Sequence, residues 1–127
     1  MRTNYGLVVG IFVLTVSFAS AQDAVKLSPS MYKVLLENEH VRVLEFRCKP
    51  GEKEPMHSHP AFVAFPLSAS KFKSTTPDGK ISEGEGKPGT AVWFDGVTHS
   101  WECLGPVEER THIVELKGPA KPDKANR

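Results

Sequence analysis

From Tyr32 to Leu116 the apolar residues come in short runs rich in β-branched and aromatic side chains, and no three-to-four-residue apolar repeat persists long enough to make a helix. The pattern predicts nine strands, at about Tyr32–Glu37, Val41–Arg47, Met56–His59, Phe62–Leu67, Lys71–Ser74, Lys80–Glu83, Ala91–Phe94, His99–Cys103 and Thr111–Leu116. Turn formers separate them, among them Pro50-Gly51, Pro77-Asp78-Gly79, Pro88-Gly89, Asp95-Gly96 and Gly105-Pro106. Strands at this spacing, without intervening helices, read as an all-β sandwich or barrel.

The first residues follow a different rule. Arg2, the apolar run Leu7–Ala19 and Ala19-Ser20-Ala21 form the pattern of a cleavable secretory signal, with the mature chain expected to start at Gln22. The run is short for a membrane span, which needs ~20 predominantly apolar residues. The expected organisation is therefore a signal peptide at 1–21, an N-terminal segment at 22–31, one barrel at 32–117 and a flexible tail at 118–127. The expected location is periplasmic or secreted, without stable membrane association after cleavage.

Arg2 is the one charged side chain in residues 1–21, so its removal balances 15 acidic residues against an equal number of basic ones. A neutral chain without a basic cluster in its body argues against a nucleic-acid partner, whose phosphates demand one. The two cysteines, Cys48 and Cys103, could form one disulfide in an oxidising compartment, although sequence does not show that they meet.

Chemistry concentrates in three of the five histidines. On an extended strand His57 and His59 point to the same face, and His99 follows Gly96 on a distant strand. Three imidazoles converging on one point would leave positions open for water or a small molecule, as catalytic metal sites require.

These residues carry a resemblance. Gly51, His57 and His59 match the cupin first motif (G, five residues, H-x-H, three or four residues, E, six residues, G), and Gly96 and His99 match the second (G, five residues, P-x-G, two residues, H, three residues, N). The chain resembles a small bacterial single-domain cupin from about Tyr32 to Lys117. The resemblance implies a double-stranded β-helix (jelly-roll) barrel, a metal held by His57, His59 and His99, and a homodimer. The departures are specific: Val63 or Ala64 stands where the first-motif glutamate falls, and Cys103 where the second-motif asparagine falls.

The resemblance implies a divalent transition metal, and imidazole ligands do not choose among iron, zinc, nickel, copper and manganese. By strand parity Glu52, Glu54 and Glu102 should face away from the histidines, whereas Glu45 and Glu115 could point inward. Trp101 should share the face of His99, and Phe62, Val63, Phe65, Phe72, Trp93 and Phe94 should line or close the cavity. Met56 should pack, and His40 and His112 have no assigned role. Three function classes remain: a metal-dependent small-molecule enzyme, an oxygenase among them; a non-catalytic periplasmic metal or small-ligand binding module; and a barrel that keeps its histidines for stability. No catalytic residue beyond the metal ligands is assigned, and enzyme status stays open.

Overall fold

The computed structural model describes residues 22–118. The expected signal segment, and the expected tail beyond Gly118, lie outside the described residues. A four-residue helix, α1 (Ala24–Leu27), precedes nine strands: β1 (Tyr32–Glu37), β2 (Val41–Cys48), β3 (Lys53–His59), β4 (Phe62–Pro66), β5 (Lys71–Thr75), β6 (Ile81–Glu85), β7 (Val92–Phe94), β8 (Val97–Gly105) and β9 (Glu109–Leu116). They build two antiparallel sheets, ordered β1-β2-β9-β4-β7 and β3-β8-β5-β6.

All nine expected strands form. The largest extension is in β8, which runs Val97–Gly105 rather than His99–Cys103, and β3 begins at Lys53 rather than Met56. Helix α1 was not expected, and it is a single turn. The residues just before it are tied to the barrel, with the Gln22 carbonyl accepting a hydrogen bond from the Ser58 backbone N–H at 2.8 Å.

Alternation then decides what faces the interior. In β2 and β9 the paired residues Leu44 and Ile113, and Phe46 and Thr111, are buried, while Arg47 and Arg110 face out. In β4, Phe62 and Ala64 are buried and Phe65 is exposed. The core therefore consists of the facing sides of two sheets. Cys48 on β2 and Cys103 on β8 form a disulfide that crosses from one sheet to the other, with Cα atoms 6.2 Å apart. The bridge allowed by the sequence is thus made, and both residues are fully buried.

Two local features aim the histidine strands. Gly96 adopts φ 105°, a conformation that other residues rarely tolerate, and so turns the chain from β7 into β8 three residues before His99. In β3 the pairing with β8 runs Glu54↔Trp101 and then His57↔His99. Two residues, Pro55 and Met56, therefore stand opposite Ser100 alone. This is a β-bulge, on an edge strand that tolerates the missing N–H of Pro55.

Candidate metal centre and cavity

His57 and His59 come from β3 and His99 from β8, and all three are buried, at 1%, 6% and 5% exposure. One ligand atom from each lies within 4.8 Å of the others, close enough for a single ion to touch all three. The structure thus brings together the residues that the sequence singled out.

Each ring is held through Nδ1. His57 donates Nδ1–H to the Pro55 carbonyl at 2.8 Å, His59 Nδ1 pairs with the Glu115 carboxylate at 2.8 Å, and His99 Nδ1 lies 3.2 Å from Ser74 Oγ. Oriented this way, each ring keeps Nε2 for the centre, and the carboxylate on His59 strengthens its basicity, as partners of metal-bound histidines do. His57 Nε2 is buried without any hydrogen-bond partner. A buried lone pair with nothing to accept is costly, and a cation would satisfy it. Burial also holds His57 down to about 4 and His99 down to about 3, so both are neutral at pH 7, the state a metal needs. The donor set fits a divalent transition metal, with three nitrogens and room for further ligands.

Glu115 is anchored in turn. Arg42 reaches its carboxylate at 2.7 Å and also binds Asp23 ahead of α1, so the segment before α1, β2, β9 and β3 share one polar network. Hydrogen bonds from His59 and Arg42 hold Glu115 below the usual carboxylate range despite its burial. An ionised Glu115 compensates the cation at Arg42 and would face a metal through His59.

Next to the histidines lies a cavity of about 200 Å³. Its walls are chiefly aromatic: Phe72 stacks on Trp101 with ring centroids 4.2 Å apart, and Phe62 stacks on Phe94 at 4.5 Å. Ala64 also lines it and Val63 does not, so of the two positions expected for the first-motif glutamate the one facing the cavity carries a methyl group. Val63, Phe65 and Trp93, expected at the cavity, are not part of its lining; Phe65 and Trp93 are 40% and 53% exposed because strand parity turns them outward. Met56, expected to pack, is likewise exposed.

The largest correction concerns Glu54. Parity places it opposite His57, but the bulge resets the alternation and brings it inside, 2% exposed and lining the cavity. Its Oε1 lies 3.5 Å from His57 Nδ1 and has no hydrogen-bond partner. The pair is not a salt bridge, since burial raises Glu54 to about 8 while it keeps His57 neutral. Glu109, also in the cavity wall, accepts the Trp101 indole N–H at 3.0 Å and is raised by burial to about 7. Tyr32, the one tyrosine after the expected signal, faces the same interior, and its hydroxyl acts on the Glu54 carboxyl. Burial raises Tyr32 well above the usual phenol range.

Glu45 faces outward against Arg47, leaving Glu115 as the inward member of the expected pair. His40 is exposed, and His112 is half-buried beside Glu45. Neither joins the site. Sequence reasoning missed Glu54 because the expected strand began at Met56, just after Pro55, whereas β3 runs on through Pro55 to Lys53 with the bulge at that junction.

No protein-family model matches the chain, and no curated protein matches it. Solved structures do. A cupin domain from Bordetella pertussis Tohama I is 26% identical with a TM-score of 0.62, over 68% of this chain and 92% of that one. An RmlC-like cupin with a double-stranded β-helix fold from Methanocaldococcus jannaschii is 15% identical with a TM-score of 0.55, over 68% of this chain and 78% of that one. The polyketide cyclase RemF from Streptomyces resistomycificus is 21% identical with a TM-score of 0.53, over 68% of this chain and 64% of that one, a likeness of fold.

Proposed function

We propose that this chain, a small single-domain cupin with a double-stranded β-helix fold, holds one divalent transition metal through Nε2 of His57, His59 and His99 and acts on a small organic molecule in the adjoining cavity. The observation that carries the reading is the buried, unpartnered Nε2 of His57, within reach of two further imidazoles whose Nδ1 atoms are already engaged. When bound, the metal supplies a Lewis acid with open coordination positions. The class of activity is that of a metal-dependent oxygenase or a related small-molecule enzyme.

The protein's own residues supply the rest. Glu115, Ser74 and the Pro55 carbonyl fix the rings. The stacked phenylalanines and Trp101 give the cavity apolar faces, and Glu54 presents a polar edge beside His57. Such a polar edge in a largely apolar cavity favours chemistry over metal storage.

We place the mature protein outside the cytoplasm on the strength of residues 1–21. We also propose a homodimer, which the exposed Val34, Leu35 and Leu36 on the edge strand β1 support. Metal analysis of protein recovered from its native compartment tests the function, with one transition metal per chain expected. A metal-free protein that cannot be loaded would overturn the reading. An oxygen-consumption screen of the iron form then separates the enzyme from a binding module.

A further inference from the structure

The cavity holds an unusual combination for its size. Its walls are largely apolar and rich in aromatic rings, yet Glu54 lines the space with its Oε1 buried and unpartnered, a carboxyl with a hydrogen bond still to make. Two further carboxyls stand in the wall, the exposed Glu85 and the buried Glu109, one of whose oxygens is already taken by Trp101.

Charge narrows the class. A carboxyl offers no positive charge in either protonation state, so neither Glu54 nor Glu109 can compensate an anion. Among the described residues Lys87 is the one lining lysine or arginine, and it is exposed, so in the metal-free chain an anion placed at Glu54 meets no buried counter-charge. Arg42 is committed to Asp23 and Glu115. A hydroxyl, which both donates and accepts, can pair with a carboxyl however it is protonated.

Shape and size narrow it further. The Phe72–Trp101 and Phe62–Phe94 pairs offer faces and edges suited to a ring. About 200 Å³ falls below the ~300–1,000 Å³ of sites for drug-sized ligands. Gly84 helps to form this wall: it pairs with Phe72 across β5 and β6, and a Cβ there would fall 2.6 Å from the ring tip, so the bare glycine lets the ring lie flat.

We propose that the cavity takes a small hydroxyl-bearing aromatic molecule with no charged group at its Glu54 end, its ring against the Phe72–Trp101 and Phe62–Phe94 pairs and its hydroxyl at Glu54. The assignment names the substrate class of the function proposed above and rests on that reading of the cavity as the ligand site. It is tested without the metal, so that the two can fail separately.

Calorimetry on the metal-free full chain should show 4-ethylphenol binding about tenfold more tightly than 4-ethylbenzoate or ethylbenzene, the difference one well-made hydrogen bond supplies. Glu54→Ala should remove most of that preference over ethylbenzene, and Glu54→Gln, which keeps a donor and an acceptor, should retain it. Thermal melts establish that both variants fold. Equal or tighter binding of 4-ethylbenzoate, an unchanged preference in Glu54→Ala, or no binding of 4-ethylphenol would each overturn the assignment. A zinc titration of the same samples reports on the histidine centre independently, because loss of zinc binding with 4-ethylphenol binding intact indicts the metal alone.

Discussion

Glu115 Oε1 accepts the Nδ1–H of His59 at 2.8 Å, with both side chains buried, and so determines which nitrogen of that ring faces the other two histidines. The carboxylate is itself fixed by Arg42, whose guanidinium also ties down Asp23. A residue on β9 thereby sets the ligand geometry on β3, and the segment before α1 braces both.

Glu115→Gln should therefore keep the fold but weaken divalent metal binding by about 10–100-fold, the usual cost of losing a carboxylate behind a metal-bound histidine. Competitive titration against a chelator gives the affinity. An unchanged value would mean that His59 does not need this partner.

Ala64 rather than Val63 lines the cavity, which decides where a first-motif carboxylate would act. Ala64→Glu should tighten zinc binding and reduce the entry of small ligands. Val63→Glu, directed away from the cavity, should leave zinc binding within about threefold of the parent, since a carboxylate outside the site gains little from the ion. A tighter site in Val63→Glu alone would reverse the assignment.

The buried carboxyls and histidines shape the pH dependence of the metal-free protein. Glu54 and Glu109 have folded values of about 8 and about 7, raised from 4.5, so the folded state holds extra protons and their contribution is lost as pH rises from 4.5 through 7 to 8. His57 and His99 are lowered from 6.5 to about 4 and about 3, so their contribution is lost as pH falls from 6.5 towards 3. Between 4.5 and 6.5 the two slopes oppose each other. Stability should be nearly level there and should fall on either side, by up to ~1.4 kcal/mol per pH unit for each group titrating alone. Urea unfolding from pH 3.5 to 8.5 checks this, and Glu54→Gln should flatten the alkaline limb. A steady rise in stability from pH 6.5 to 8 would contradict the burial of neutral carboxyls.

The Cys48–Cys103 disulfide closes a long loop, with a sequence separation of 55, and joins the two sheets. Replacing both cysteines with alanine should cost about 4 kcal/mol by loop-closure entropy. Denaturant midpoints under oxidising conditions measure the loss, and a loss below about 1 kcal/mol would show that the sheets do not depend on the link.

The strands and the three histidines were legible in the sequence because both depend on local rules. Alternation and turn residues mark the strands, and H-x-H puts two imidazoles on one face whatever lies around them. The polar companions of the histidines depended on register instead. A single extra residue at Pro55–Met56 reverses the facing of Glu54, and nothing local pairs Glu115 with His59 across two strands. The Phe72 wall was foreseen, but Phe65 and Trp93 were misjudged by the same counting, since hydrophobicity does not report which face a residue takes.

The central claim is that His57, His59 and His99 together form one metal site. Titrating zinc or ferrous iron into the chelator-treated protein at neutral pH, with mass spectrometry of the intact complex, measures the stoichiometry directly. One ion per chain is predicted for the parent, with sharply reduced occupancy in His57→Ala and none in the His57→Ala, His59→Ala, His99→Ala variant. Full binding by that triple variant, or no binding by the parent, would contradict the account.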